Sequence, residues 1–164
     1  MLVSLNEISK YVDISGLSKE EIASRLTFSG IEVEEIKTLS NATSLVVGKV
    51  ISCIPHPNSD HLHVCKVDIK DEILDIVCGA PNCKEGIKVI VAKVGAKLPG
   101  GEIKAGEIRG YKSNGMLCAL NELGVDPKYL KEEQIKGIEI LSDDFEVGDS
   151  DILHKLGLDD VILD

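Results

Sequence analysis

The sequence predicts an α+β protein whose middle is all-β and closes as a small barrel, set between a helical opening and a looser acidic tail. Three observations carry this. Residues 45–108 hold successive Val/Ile-rich runs separated by Pro, Gly and Asn, the pattern of short strands in an all-β domain. The opening thirty residues instead show capped helical periodicity. Beyond residue 124 the chain turns acidic, with four Lys/Arg against twelve Asp/Glu, a net −8, compared with −3 over residues 1–40 and +1 over residues 41–124.

Taken in order, Ser4-Leu5-Asn6-Glu7 and Ser18-Lys19-Glu20-Glu21 both fit the capping box, in which Ser and Glu satisfy orphan amides reciprocally. Leu5, Ile8 and Val12 make one apolar stripe, and Ile22 and Leu26 another. Gly30 ends the second helix, and Ile31-Glu32-Val33-Glu34 alternates as a strand. Leu45–Ile54 opens the β segment, and Gly48 within it predicts a bulge or tight bend. Strands follow at His63–Ile69, Ile73–Val77, Lys88–Val94 and Glu102–Ile108, with Asp71-Glu72 short enough for a hairpin. Five such strands with Gly-marked bends predict a small barrel of the OB type. The polar turn Arg109–Gly115 then feeds a short apolar helix over Met116–Leu123, a plug at the barrel end that Gly124 stops. In the tail, Gly137–Leu141 suits a strand and Ser150–Leu156 a helix stopped by Gly157. Asp160–Leu163 begins a strand with neither loop nor partner, so the chain is expected to be cut from something longer.

Composition narrows the function classes. At 164 residues the chain can hold one ordinary domain or two small ones. With no Trp, three Tyr and two Phe, the core must be aliphatic, and a surface that binds nucleic acid by base stacking is disfavoured. The net charge of −10 opposes strong nonspecific binding to a polyanion, although the near-neutral middle leaves room for weak, shape-led contact. Five cysteines without a CxxC pair, no signal peptide and no membrane-length apolar run predict a cytoplasmic protein with reduced thiols.

His56, His61, His63 and Cys65 are good zinc ligands by type, but their spacing suits an ordered turn better, with Pro55 and Pro57 fixing φ and Asn58, Ser59 and Asp60 capping locally. Cys78 and Cys83, four residues apart, fit strand-end packing around a Gly-Ala-Pro-Asn turn better than a redox or metal pair, so no metal is expected. Ser113 and Cys118 lack a nucleophile elbow and a clear His partner, and no nucleotide-binding glycine loop is present. No catalytic residue is therefore assigned. Lys49, Lys66, Lys93, Lys97, Lys104, Arg109 and Lys112 remain. Singly each suits a solvated strand face. Together they sit among turns that an OB-type barrel gathers at one rim, where phosphate contacts position RNA without reading its sequence.

Several ordered blocks carry a family resemblance: His56-Pro-Asn-Ser-Asp-His-Leu, Val64-Cys65-Lys66-Val67-Asp68, Ile76-Val77-Cys78-Gly79-Ala80-Pro81-Asn82, Val94-Gly95-Ala96-Lys97-Leu98-Pro99, and Arg109-Gly110 followed by Ser113-Asn114-Gly115-Met116-Leu117-Cys118. They resemble the OB-fold tRNA-binding domain shared by bacterial phenylalanyl-tRNA synthetase β subunits, methionyl-tRNA synthetase tails and free-standing tRNA-binding proteins. The flanks, including Leu26-Thr-Phe-Ser-Gly-Ile-Glu-Val-Glu and Gly157-Leu-Asp-Asp-Val-Ile-Leu, are similar to the amino-terminal end of the phenylalanyl-tRNA synthetase β subunit. That resemblance implies an α+β fold with an inserted all-β domain. Residues 1–40 would form the first part of the small α+β domain, 41–147 the five-stranded OB-type barrel, and 148–164 the return segment. It implies a non-catalytic, tRNA-binding fragment whose partners are tRNA, the synthetase α subunit and the remaining β-subunit domains, with no membrane. ATP and Mg²⁺ belong to the whole synthetase, so the fragment would hold no cofactor. The residues expected at tRNA are Lys66, Lys93, Lys97, Arg109 and Lys112, with Ser113, Asn114 and Met116 shaping the rim. Where the family usually shows Ser-Glu-Gly-Met-Leu-Cys-Ser, this chain has Asn114 and Ala119, which removes a charge and a hydroxyl. The alternatives are a structural or assembly module of the synthetase with incidental RNA contact, and a free-standing tRNA-binding protein.

Overall fold

The computed structural model describes residues 1–164. Its strands, in chain order, are β1 (Val3–Ser4), β2 (Ile36–Thr38), β3 (Leu45–Pro55), β4 (His63–Asp68), β5 (Ile73–Cys78), β6 (Lys88–Lys93), β7 (Lys97–Leu98), β8 (Gly101–Glu102), β9 (Gly106–Ile108), β10 (Tyr111–Ser113), β11 (Gly115–Leu117), β12 (Ile140–Leu141) and β13 (Val161–Leu163). The α-helices are α1 (Leu5–Ile8), α2 (Lys19–Phe28), α3 (Glu132–Lys136) and α4 (Ile152–Lys155). The fold is mostly β with few helices. No helix is long and apolar enough to cross a membrane. The chain forms two compact units, Met1–Ser40 with Leu153–Asp164, and Asn41–Ile152.

The first unit is a three-stranded antiparallel sheet in the order β1-β13-β2. Its last strand, expected to lack a partner, is the central one. Leu163 pairs with Val3 on one side and Ile36 on the other, and its side chain is buried with Leu5, Ile22 and Ala23. α2 begins at a full capping box, with Glu21 N–H donating to Ser18 Oγ and Ser18 N–H to Glu21 Oε2. The Ser4 box is only half made. Ser4 Oγ accepts from Glu7 N–H, while the Glu7 carboxylate pairs with Lys10. Residues 31–34 do not form the expected strand; Glu34 and Glu35 N–H both donate to the Asp164 carbonyl, and the ladder starts at Ile36.

Asp160 ties this unit together. Its buried carboxylate accepts from Ser4 Oγ (2.5 Å), Asn6 N–H (3.0 Å) and Val161 N–H (2.8 Å), joining the start of α1 to the central strand. Asp160→Ala strands these donors in a partly buried place, and hydrogen bonds to a charged group contribute about 1.5–3 kcal/mol each. The expected result is a clear fall in the urea midpoint of the first unit's transition. An unchanged midpoint would show that solvent satisfies the donors.

The second unit is a six-stranded antiparallel sheet in the order β11-β6-β3-β4-β5, with β12 also paired to β6, beside Val89 and Lys88. Strand alternation sends Val46 and Val50, Cys65 and Val67, Leu74 and Ile76, and Val89 and Val91 into one aliphatic core. Each such side chain contributes about 1.5–3 kcal/mol by leaving water. The long β3 makes this wrap, pairing with β6 through its first half and β4 through its second. Its irregularity lies between Val50 and Ser52, not at Gly48.

Three expectations change here. The ladders do not close a five-stranded barrel. β5 and the β10–β11 segment approach one another through Asn114 N–H to the Asp75 carbonyl (2.7 Å) and Val77 N–H to Ser113 Oγ (3.1 Å), without a ladder. Glu102–Ile108 splits into β8, which pairs with β7, and β9, which pairs with β10. The helix expected over Met116–Leu123 is a strand at Gly115–Leu117 and a 3₁₀ turn at Asn121–Leu123. Gly115 at φ 150° extends the chain, and Met116 and Leu117 complete the edge of β6 opposite Ala92 and Val91. Gly124 does stop the turn, in the left-handed region at φ 104°.

Candidate nucleic-acid interface

The site is organised by one short hairpin. Arg109 and Gly110 form the two-residue turn between β9 and β10, both with positive φ (51° and 87°), as a hairpin matched to strand twist requires. Three contacts bind this hairpin to the His56–Leu62 turn. His56 Nε2 lies 3.1 Å from the Ile108 carbonyl, the His56 and Tyr111 rings meet edge-on at 4.7 Å, and Arg109 Nη1 donates to the Asn58 carbonyl at 2.8 Å. His56 is buried, and its Nδ1 accepts from Asn58 N–H, so the ring carries its proton on Nε2 and donates to Ile108. Two blocks fifty residues apart in sequence thereby form one rim. At its edge, Asp60 is held below the ordinary carboxylate range, chiefly by the hydrogen bond from the His61 side chain and least by the charge of Arg109.

The other named residues fall at distinct points. Lys112 is exposed on β10 and faces Glu107 across the hairpin. Ser113 is buried; its hydroxyl accepts from Val77 N–H and donates to the Gly115 carbonyl, which makes it an internal brace of the rim. Asn114 is half-buried and lines a small cavity with Lys93, Glu72, Leu74 and Val94. Lys66 is exposed on β4 and ion-paired to Asp75 at 2.8 Å. Asp75 thus touches two of the named residues, through its carboxylate to Lys66 and its carbonyl to Asn114. Lys97 is exposed on β7, where Thr43 Oγ accepts its backbone N–H. Met116 lines a cleft of about 550 Å³ that also takes in Ser113, Ile108, Lys104, Lys136 and Glu122.

Lys93 and Asn114 are therefore brought together, as are Lys66 and Asn114 through Asp75, and Arg109 and Lys112 share one hairpin. No contact joins Arg109 to Lys66 or Lys93. The sequence signal misses the tie between His56 and the hairpin, because a buried ring that accepts from one turn and donates to another leaves no local pattern. Nucleophilic chemistry has no support: the Ser113 hydroxyl is occupied, and burial pushes the Cys118 thiol up to about 12, so it stays protonated.

The family model described as "Putative tRNA binding domain" matches residues 45–150. The whole chain is 50% identical over 167 aligned residues to the phenylalanine–tRNA ligase β subunit of Halalkalibacterium halodurans, covering 20% of that protein. It is 47% identical, again over its whole length, to the same subunit of Geobacillus kaustophilus, covering 21% of it. The chain thus spans about a fifth of the length of the curated relatives it matches. Among solved structures, a methionyl-tRNA-synthetase-related protein of Pyrococcus horikoshii overlaps 63% of this chain and 84% of its own, with a TM-score of 0.45 and 22% identity.

Proposed function

The chain belongs to the tRNA-binding-domain family, and from that membership we propose that its second unit holds tRNA through the phosphate backbone at the rim built by the Arg109–Gly110 hairpin. The family match over residues 45–150 is the observation that carries this, since it falls on the unit bearing the rim. The exposed cations Lys93, Lys97, Arg109 and Lys112 supply the phosphate contacts. Lys66 contributes least, because it must first give up Asp75. Ser113, Asn114 and Met116 shape the surface. The contacts position the RNA and carry little sequence information.

The second unit acts as an OB-type barrel, with the approach of Asp75 to Asn114 standing for the missing ladder. The whole chain serves as the amino-terminal part of a phenylalanine–tRNA ligase β subunit, a reading supported by identity of 47–50% along its full length. In that setting it adds tRNA contact and assembly to a cytoplasmic ligation reaction. The α subunit and the remaining β-subunit domains are its partners, and ATP and Mg²⁺ act elsewhere in the enzyme.

Hydrogen exchange with and without tRNA at low salt tests the placement. Slower exchange is expected for the amides around Lys93–Lys97 and Ile108–Lys112. Protection confined to the first unit would overturn it.

A further inference from the structure

Three of the five cysteines bring their sulfurs together inside the second unit. Cys53 and Cys65 face each other across β3 and β4, and Cys83 joins them from the loop after β5. The three sulfurs lie within 4.8 Å of one another, with Cys83 Sγ 3.7 Å from Cys53 Sγ and 3.5 Å from Cys65 Sγ. All five cysteines are free thiols. A free cysteine packs well as a small apolar side chain, but packing alone does not require sulfur to meet sulfur.

We propose that Cys53, Cys65 and Cys83 form a site for a thiophilic divalent cation, Zn²⁺, with the fourth position left to water. Zinc–sulfur bonds of about 2.3 Å put tetrahedral thiolates about 3.8 Å apart, close to the spacings seen. Cys78, separated from Cys83 by four residues, is not one of the three cysteines whose sulfurs lie together. The turn between them is held in place. Asn82 Oδ1 accepts from Ile138 N–H at 3.0 Å and its Nδ2 donates to the Ile138 carbonyl at 2.8 Å. Ala80 N–H donates to Cys78 Sγ at 3.5 Å, which steadies the same turn. Cys53 is only half-buried and gives the cation its way in. Each thiol that coordinates loses its proton to water; no electron moves and no disulfide forms.

Cobalt(II) titration of the metal-free chain, kept reduced with a phosphine, tests the proposal. The expected result is one Co²⁺ per chain, with visible bands of a tetrahedral centre and a sulfur-to-cobalt charge-transfer band, all abolished by Zn²⁺. Cys118 lies outside the cluster, and Cys118→Ala is expected to keep these bands. Cys53→Ala and Cys83→Ala, checked for native circular dichroism, are expected to lose most of the charge-transfer intensity. Failure of the folded wild-type chain to develop the band overturns the site without reference to any variant. So does full intensity in Cys83→Ala.

Discussion

Gly48→Ala is expected to destabilise the second unit by about 1–3 kcal/mol, toward the upper end of that range. A Cβ at this position would stand 2.6 Å from Val67 Cγ1 and 2.7 Å from Val91 Cγ2. Both valines are fully buried, on the strands that flank β3. Neither can retreat without pushing the sheet apart, so the added methyl must displace backbone. Gly106→Ala is the matched control. It also removes a glycine from a strand, but no atom lies within 4 Å of the new Cβ. Limiting the unfolded chain's freedom there is expected to be neutral, or stabilising by about 0.4–1 kcal/mol. Urea midpoints of the two variants measure the contrast. Equal midpoints would show that the core yields around Gly48.

Removing Lys93, Lys97 and Lys112 together, each to alanine, is expected to weaken tRNA binding severely at low salt while leaving the fold intact. All three are exposed and stand outside the ion pairs of the chain. Their loss therefore costs little stability. Each lysine on a phosphate releases a condensed counterion, so the slope of log affinity against log salt should fall by about 2–3. Arg109 is left in place by design. Its guanidinium holds the Asn58 carbonyl and its backbone holds the turn at positive φ, so Arg109→Ala would disturb the rim as well as its charge. An unchanged slope in the triple variant would mean that RNA binds elsewhere or does not bind through phosphate.

Most of the β segment was legible because its strands alternate cleanly. β3 to β6 begin and end within a residue or two of where the Val/Ile runs place them. Two of the misses share a cause, partners outside the local segment, whereas Glu102–Ile108 splits between two short local hairpins. Met116 and Leu117 carry helical spacing with Leu120, yet β6 offers them an unpaired edge, and the ladder wins over local propensity. Val161–Leu163 looked unpartnered because both its partners, β1 and β2, lie more than a hundred residues upstream. At the site, the sequence places a polar turn over Arg109–Gly115, but the structure confines it to Arg109-Gly110 and puts Tyr111–Ser113 in β10; the lysines are legible only as charges. The dependence of that turn on His56, and the meeting of Cys53 and Cys65 with Cys83, arise only when strands pair.

Binding of tRNA by this chain is expected to rest on a few rim cations. Titrating labelled tRNA onto the intact 164-residue chain over 50–200 mM salt tests it most directly. With four phosphate contacts, each contributing about 0.7–0.9 to the salt slope, saturable binding at the low end should weaken about a hundredfold by the high end. No binding at low salt, or an affinity indifferent to salt, would contradict the claim.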